Sequence, residues 1–365
     1  MDRALLAAGV GIASAGLAAA LVLPGMALAR RFGVLDRPGG RKTHELPTPR
    51  LGGLAVFASF VLVVFAGYAL TPSLDALPWI HARFGDAVAP LREAYRVQAK
   101  LLAVLGGAAL AFGVGLADDL WGSRFPAWAK AGGQVAAALV LVAADVRTSF
   151  LPHDWMNSVV TVLWIVGITN AFNLLDNMDG LSAGVACVAS AVLFINAWTL
   201  GEFFISLILV AFMGSLLGFL FFNFHPARVF LGDCGSLSIG YLMGSLTLLE
   251  RYVSHASSTL FPVLMPVVVL AVPIVDTALV VVIRLREGRP VYVGDRRHLS
   301  HRLLDLGFSP RGAALFLYLT TFSLGLGAAS LTDATLAESL LILLQLTGFV
   351  TLLLVLLFHE RRGAV

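Results

Sequence analysis

A series of apolar stretches, each long enough to cross a lipid bilayer as a helix, constrains what this chain can fold into. An ordinary soluble protein carries about 25% charged residues, whereas 13% of this chain is charged and 58% is hydrophobic. The sequence therefore predicts an all-α fold, a polytopic transmembrane helical bundle of about 11 spans. The predicted spans lie near residues 4–28, 52–71, 97–117, 127–145, 156–172, 181–200, 203–222, 235–250, 259–283, 313–331 and 337–357.

Two of these stretches have special features. The stretch 4–28 is too long for the core of a signal peptide, so we expect it to be a retained span. The stretch 259–283 contains Pro262, Pro266 and Pro273, and proline removes helical hydrogen bonds, so a bend is expected there. No internal repeat or soluble segment interrupts the pattern, and we expect a single integral-membrane domain over residues 1–365.

The distribution of Lys and Arg predicts the orientation of the bundle. These residues concentrate on one side of such a chain, above all in loops 29–51 and 284–312, and cytoplasmic loops are enriched in Lys and Arg. We therefore expect the N-terminus outside and the C-terminus in the cytoplasm. The polar motifs fall on the same side, in the loops near 29–51, 117–127, 170–181, 223–235 and 284–312.

The segment Asn170–Leu181 places a dense polar motif directly after an apolar span. It reads N-A-F-N-L-L-D-N-M-D-G-L. Ionisable groups at the mouth of a span are hypotheses for a functional site by default. Carboxylate and carboxamide oxygens together suit a metal-bound phosphate. The alternative is a polar loop in which Asn and Asp only cap two helices.

Two further motifs carry carboxylates. The neighbours Asp118 and Asp119 repel each other unless a cation or a proton lies beside them, so they indicate a metal ligand and a base; a solvated acidic pair at a helix end is the alternative. The turn Gly232–Ser236 lets the backbone approach a ligand and can form an anion-binding nest. Asp233 within it is a further candidate metal ligand, although Gly-Asp is also an ordinary turn signal.

Basic and imidazole side chains complete the set. His298 and His301 are three residues apart in a basic loop and, with the Arg residues beside them, suit a diphosphate; a patch for anionic lipid is the alternative. Lys42 and Lys130 lie near the polar motifs and would act as point charges for phosphate. Taken together, these motifs predict Mg²⁺-dependent phosphoryl chemistry between a soluble phosphate donor and a lipid acceptor.

The motifs as a set resemble those of one family. Asp118-Asp119, N-A-F-N-L-L-D-N-M-D-G-L, F-L-G-D-C-G-S and D-R-R-H-L-S-H-R-L, in this order from about Lys42 to Pro310, are similar to the polyprenyl-phosphate N-acetylhexosamine-1-phosphate transferases of glycosyltransferase family 4. The resemblance implies transfer of a sugar 1-phosphate, foremost GlcNAc-1-phosphate, from a UDP-sugar to undecaprenyl phosphate with release of UMP. The lipid diphosphate so formed would serve synthesis of a cell-envelope polysaccharide.

The resemblance also implies the setting of the reaction. The enzyme would lie in the bacterial inner membrane, in contact with the lipid bilayer, with its active site facing the cytoplasm. Mg²⁺ would be the cofactor and Mn²⁺ a substitute, no nucleic acid would be bound, and a homodimer is compatible with the family.

Roles follow by position from the resemblance. Asp118 would be the base acting on the lipid phosphate, and direct attack of that phosphate is favoured over a covalent aspartyl intermediate. Metal ligands would be Asp119, Asp233 and Asn173. The remaining residues would position or contact the substrates: Asp176 and Asp179 with Asn170 and Asn173 for the metal, uridine or diphosphate; His298 and His301 with Arg297 and Arg302 for the diphosphate or sugar; and Lys42 and Lys130 for the phosphates.

Two departures from the family pattern bear on the substrate. Gly122 stands where relatives often carry a third acidic or amide residue, which shifts weight to Asp233 as metal ligand. The sequence His298-Leu299-Ser300-His301 lacks the run of histidines typical of the branch that transfers phospho-MurNAc-pentapeptide, so a UDP-GlcNAc-type donor is favoured and that branch is the alternative. A proton-coupled transporter is the alternative from another class, and Asp276, inside a span, is the residue on which it would depend.

Overall fold

The computed structural model describes residues 2–36, 47–78, 93–253, 257–289 and 297–358. The chain divides into two compact units, an N-terminal unit over Met1–Glu250 and a C-terminal unit over Arg251–Val365. A division of this kind does not define separate folding domains, so the expectation of a single membrane domain stays a prediction.

The described part of the N-terminal unit is almost entirely helical. Its elements are α1 (Asp2–Phe32), β1 (Leu35–Asp36), β2 (Thr48–Pro49), α2 (Gly53–Asp75), α3 (Glu93–Arg96), α4 (Gln98–Trp121), a 3₁₀ turn (Gly122–Arg124), α5 (Ala127–Ala143), α6 (Asp154–Leu175), α7 (Leu181–Thr199), α8 (Phe203–Asn223) and α9 (Gly232–Leu249). The two short strands pair antiparallel, with Leu35 opposite Pro49.

Helix α9 is the centre of the N-terminal unit. It packs against α2, α4, α6 and α7, and every residue from Cys234 to Thr247 is buried. Glycine makes this close packing feasible: a Cβ on Gly53 of α2 would overlap the backbone of Gly235, and one on Gly240 would overlap the backbone of Thr169 in α6. Small residues allow helix backbones to approach in this way. The start of α9 is therefore held close to α2 and α4, where the polar motifs lie.

The other helices of this unit surround that centre. Helix α1 packs on α8 and α2, α8 packs on α7, and α5 lies between α4 and α6. Gly214 and Gly218 of α8 let α1 come close, because a Cβ on either would overlap backbone oxygens of Gly11 or Ala15. The exposed outer faces of the helices are rich in leucine, which suits contact with lipid.

The C-terminal unit contains shorter and broken helices. Its described elements are a 3₁₀ turn (Phe261–Leu264), α10 (Met265–Val269), α11 (Ala271–Arg286), α12 (Leu299–Asp305), α13 (Pro310–Ala329) and α14 (Leu336–Phe358). Phe261–Val269 and Ala271–Arg286 meet at an angle of 69°, so the bend expected over 259–283 is confirmed. Helix α14 begins with a capping box, in which Glu338 accepts from the backbone N–H of Thr335 at 2.8 Å.

The predicted fold class is confirmed. Among the described residues, eight helices are long and apolar enough to cross a bilayer, or nine if the bent pair is one span. The other two predicted stretches are also helical, as Ala127–Ala143 and Gly232–Leu249; the first is shorter than a usual span. The chain is a multi-pass membrane protein, while the span count and the orientation stay predictions.

Candidate active site

The site is built around the first turn of α9, which Asp119 caps. Helix α4 continues past the predicted end at residue 117 to Trp121, so Asp118 and Asp119 lie in its last turns. The Asp119 carboxylate accepts from the backbone N–H groups of Asp233 at 3.0 Å and Cys234 at 2.9 Å, and its side chain is fully buried. A carboxylate at a helix N-terminus satisfies unpaired N–H groups and the helix dipole. Asp119 thereby fixes the position of Asp233.

The segment before α2 closes over the same turn. The N–H groups of Gly52 and Gly53 donate to the carbonyls of Phe230 and Leu231 at 2.9 and 2.8 Å. Gly232 has φ of 75°, and a Cβ there would overlap the carbonyl oxygen of Arg50. Only glycine fits a position that combines left-handed backbone with so close an approach. The glycines of F-L-G-D-C-G-S therefore serve the packing of α9, whose helix begins at Gly232 where the sequence predicted a turn.

Arg50 brings a guanidinium to this cluster of acids. Its Nη2 atom lies 3.6 Å from Asp119 Oδ1. Burial alone would lower the pKa of Arg50, but the carboxylates of Asp119 and Asp233 outweigh it and raise that pKa. Arg50 offsets part of the negative charge at the start of α9 and was not among the predicted site residues.

Lys130 of α5 joins three of the predicted side chains. Its Nζ atom lies 2.8 Å from Asp118 Oδ2, 3.1 Å from Asn173 Oδ1 and 3.3 Å from Asp233 Oδ2. Asn173 in turn donates to Asp233 Oδ1 at 2.7 Å and to Ser236 Oγ at 2.8 Å. Residues from α4, α5, α6 and α9 thus converge on one point.

The oxygen set around Lys130 fits a cation. Within the part of the chain that the structure describes, no three His, Cys, Asp or Glu side chains are arranged to hold a metal ion alone. Mg²⁺, however, usually takes one or two carboxylates and completes its shell with water and substrate phosphate. The oxygens of Asp118, Asn173 and Asp233 already surround one positive charge, that of Lys130, so the donor chemistry suits Mg²⁺.

Asp176 follows the last residue of α6 and interacts electrostatically with Asp233 and Arg50. Burial and, after it, the neighbouring carboxylates, that of Asp233 first, raise the pKa of this carboxyl to about 8, although Arg50 lowers it. A carboxyl whose pKa is raised in this way is common in functional sites, and a nearby cation would favour its ionised form.

Asp179 makes a separate cluster with the segment after α8. Its Oδ2 atom lies 2.8 Å from His225 Nδ1 and accepts from the backbone N–H of Ala227 at 3.1 Å. Asn223 holds the same turn, because it accepts from the N–H of Gly180 at 3.0 Å and donates to the carbonyl of Val229 at 2.9 Å. The D-G-L end of the motif is thereby tied to the segment that leads into α9.

Asn170 has a packing partner rather than an open amide. It donates to Gln134 Oε1 at 2.7 Å and to the Val166 carbonyl at 2.8 Å, and it accepts from Gln134 Nε2 at 3.3 Å. This reciprocal pair joins α5 to α6 one turn away from Lys130 and Asn173. The structure therefore gives Asn170 a structural contact; its predicted substrate contact stays a prediction.

The C-terminal unit holds the histidine motif. His298 is buried and precedes the first residue of α12, and its Nδ1 atom lies 2.7 Å from Oδ2 of Asp276. Its ring lies 6.4 Å from that of His301. Arg297 pairs with Glu287, and Arg302 is partly buried on α12. Lys42 lies outside the described residues.

Sequence reasoning found Asp118, Lys130, Asn173 and Asp233, which the structure brings together. It missed several residues that organise them: Arg50, Gln134, His225, Asn223, Ser236 and the pairing of Asp276. In the sequence these residues are only isolated polar residues, because their partners lie far away along the chain.

Comparison with known proteins identifies the family. The model of "Glycosyl transferase family 4" matches residues 101–250, which include the whole cluster around Lys130. A protein of Bacillus subtilis (strain 168), described as a probable undecaprenyl-phosphate N-acetylglucosaminyl 1-phosphate transferase, is 34% identical over 89% of this chain and 85% of its own length.

Two other relatives extend the picture. The decaprenyl-phosphate N-acetylglucosaminephosphotransferase of Mycobacterium tuberculosis (strain ATCC 25618 / H37Rv) is 34% identical over 87% of this chain and 82% of its own. The phospho-N-acetylmuramoyl-pentapeptide-transferase of Levilactobacillus brevis is 32% identical over 61% of this chain and 69% of its own. The chain therefore belongs to glycosyl transferase family 4, and it is a membrane-embedded sugar-phosphate transferase.

Proposed function

We propose that this enzyme transfers GlcNAc-1-phosphate, or a closely related sugar 1-phosphate, from a UDP-sugar to undecaprenyl phosphate and releases UMP. The observation that carries the proposal is the convergence of Asp118, Asn173 and Asp233 on one cation, Lys130. Such a cluster suits two phosphate groups that must be brought together against their own repulsion. The product would be a lipid diphosphate sugar for a cell-envelope polysaccharide.

The donor sugar is proposed from the relatives. The two N-acetylglucosamine phosphate transferases named above align with 89% and 87% of this chain, whereas the phospho-N-acetylmuramoyl-pentapeptide-transferase aligns with 61%. The His298-Leu299-Ser300-His301 sequence points the same way. Transfer of phospho-MurNAc-pentapeptide is the second candidate and is tested in the same assay.

The bond changes are those of a phosphoryl transfer. An oxygen of the lipid phosphate bonds to the sugar-bearing phosphorus of the UDP-sugar, and the bond from that phosphorus to the UMP oxygen breaks. Asp118 would accept the proton of a singly protonated lipid phosphate at Oδ2. Lys130, released from that carboxylate, would then donate to a phosphate oxygen, because an ammonium group has three donors and no acceptor.

Mg²⁺ is the proposed cofactor, with Mn²⁺ as a substitute. Asp118, Asn173 and Asp233 would hold it, with Asp176 as a further oxygen donor. Bound there, the ion would neutralise negative charge that develops between the phosphates. Asp119 would act indirectly, because both of its oxygens cap α9 and so keep Asp233 in place.

The remaining side chains would secure the substrates. His298 and His301, with Arg297 and Arg302, would contact the diphosphate or the sugar, and Lys42 would contact a phosphate. Asp179, held by His225, would shape the site for uridine or diphosphate. The bacterial inner membrane, the cytoplasmic face and a homodimer belong to the proposal as its setting.

The test uses purified protein with Mg²⁺ and undecaprenyl phosphate, a panel of UDP-sugars that includes UDP-GlcNAc and UDP-MurNAc-pentapeptide, and UMP as the readout. We expect lipid-dependent UMP release with UDP-GlcNAc that is lost in Asp118→Asn and Asp233→Asn and on chelation. Asp305→Asn, an exposed acid on α12, serves as the matched control and should retain activity. A folded protein that releases no UMP from any donor would refute the proposed reaction.

A further inference from the structure

Asp276 is a fully buried carboxylate in the membrane helix α11. An ionisable group in such a place is costly unless its oxygens are hydrogen-bonded. Both oxygens of Asp276 have a donor: Oδ2 lies 2.7 Å from Nδ1 of His298, and Oδ1 accepts from the backbone N–H of Leu299 at 2.7 Å. The two donors belong to consecutive residues, so the carboxylate binds both His298 and Leu299, 22 and 23 residues further along the chain.

The contact fixes both the place and the proton of the imidazole. A carboxylate only accepts hydrogen bonds, so Nδ1 of His298 carries the hydrogen in this pair. The second bond, to the Leu299 N–H at the start of α12, prevents the His298 backbone from shifting relative to α11. His298 is itself buried, so few other rotamers are open to it. The ring is thus held in one tautomer with Nε2 as the nitrogen left for a ligand.

We propose that Asp276 is a positioning residue of the transferase, which sets the tautomer and orientation of His298 so that Nε2 meets the substrate phosphates. The inference rests on the proposed function for the part played by His298, and the Asp276 pairing itself rests on the geometry. Asp276 acts through His298 and does not touch substrate. A carboxylate that orients an imidazole in this way is a recurring device of catalytic and metal sites.

If Asp276 had a purely structural role, a different effect of Asp276→Asn would be expected. If Asp276 only capped α12, Asn would replace it well, because Asn and Asp are equally good helix caps. An Asn side chain has one acceptor oxygen for the two donors, and its NH₂ group facing Nδ1 would favour the other tautomer of His298. Asp276→Asn therefore separates the two roles in a protein that should still fold.

The experiment compares the full-length protein with Asp276→Asn, His298→Ala and the double variant in the UMP-release assay. We expect Asp276→Asn to lower kcat by roughly 10–100-fold, with KM changed less than about threefold and the melting temperature retained. The double variant should be no slower than His298→Ala, because the two residues act as a unit. Asp305→Asn, on the same short helix as the histidine motif, is the control and should match the parent.

Nitrogen NMR of the ¹⁵N-histidine-labelled protein gives a readout independent of turnover. In the parent, one histidine should show a protonated Nδ1 and an unprotonated Nε2, and this signal should disappear in His298→Ala and change to the other tautomer in Asp276→Asn. Parental kcat together with an unchanged tautomer in Asp276→Asn would overturn the proposal. Full activity of His298→Ala would overturn it as well. In either case, UMP release by the parent would still support the proposed transferase function.

Discussion

Lys130 and Asp118 form an ion pair in which Nζ lies 2.8 Å from Oδ2, and the same ammonium group also reaches Asp233. One cation therefore offsets the repulsion between two carboxylates. We predict that Lys130→Met destabilises the protein without divalent metal by roughly 1–3 kcal/mol, because charged groups in a partly dry site lose their partner. Thermal unfolding in EDTA measures this, and added Mg²⁺ should stabilise the variant more than the parent.

The Lys130 prediction has a matched control in Lys100→Met, which removes one of the three lysines of the chain far from the acids. Its melting temperature should stay within the error of the parent. Lys130→Met should also release UMP at least tenfold more slowly at saturating Mg²⁺. A Lys130→Met protein that melts as the parent does in EDTA would contradict the shared-cation interpretation.

The role of Asp119 as the N-terminal cap of α9 should be measurable in the free energy of unfolding. Asp119→Ala removes the acceptor for two N–H groups of α9 and the partner of Arg50, so we expect a loss of about 1–3 kcal/mol in the free energy of unfolding. Asp119→Asn keeps one acceptor oxygen and should recover part of the loss. The exposed acid of the first turn of α6 provides the control, and Asp154→Ala should cost less than about 1 kcal/mol.

Metal binding by the same variants separates the cap from the predicted metal ligand. If Asp119 acts only as a cap, folded Asp119→Asn should bind Mn²⁺ within about threefold of the parent affinity, whereas Asp233→Asn should bind it at least tenfold more weakly. Electron paramagnetic resonance of free Mn²⁺ gives both affinities. Equal weakening in the two variants would make Asp119 a ligand.

The helices could be predicted from the sequence because an apolar run long enough to cross a bilayer has few other stable conformations. The break in the helix over 259–283 could likewise be predicted from its prolines, because a missing backbone N–H acts locally. The ends of helices were less predictable. Asp118 and Asp119 look like a loop by hydropathy, yet α4 runs through them because the carboxylates find partners in α5 and α9.

The site could be predicted in part, for a similar reason. Asp118, Asn173 and Asp233 stand out because polar residues are rare in such a chain, and their chemistry suggests one ligand. The partners could not be assigned. Nothing in the local sequence distinguishes Asn170, which pairs with Gln134, from Asn173, which faces Asp233; one helical turn separates them, and tertiary packing decides. Asp276 appeared as a lone acid in a span until α12 brought His298 to it.

Asp176 predicts a pH dependence. Its pKa is raised to about 8 by burial and by neighbouring carboxylates, against about 4 in an unfolded chain. The folded state therefore holds the proton more tightly than the unfolded chain does. The stabilising contribution of protonated Asp176 is fully present below about pH 4 and is lost as pH rises towards 8. In EDTA, the melting temperature should fall over this range, and Asp176→Asn should flatten the fall.

The control for the Asp176 prediction is Asp305→Asn, which removes an exposed acid. In this variant the melting temperature should fall with pH as steeply as in the parent. Mg²⁺ should also flatten the slope in the parent, because a nearby cation favours the ionised carboxyl. Identical pH profiles of the parent and Asp176→Asn in EDTA would contradict the raised pKa of Asp176.

Gly232 allows the contribution of close backbone approach to be measured separately from that of backbone conformation. Gly232 has φ of 75° and Gly33 has φ of 71°, but a Cβ on Gly232 would overlap the Arg50 carbonyl, whereas a Cβ on Gly33 would meet nothing within 4 Å. Alanine at Gly33 should therefore cost only the left-handed conformation, about 1–2 kcal/mol. Gly232→Ala should cost at least about 2 kcal/mol more, because the start of α9 must shift and carry Asp233 out of the cluster. Chemical unfolding gives the two costs, and UMP release should be lost in Gly232→Ala alone. Equal costs with activity retained in both variants would mean that the turn before Asp233 can move freely, and that the close packing of α9 against the Arg50 segment does not set the geometry of the site.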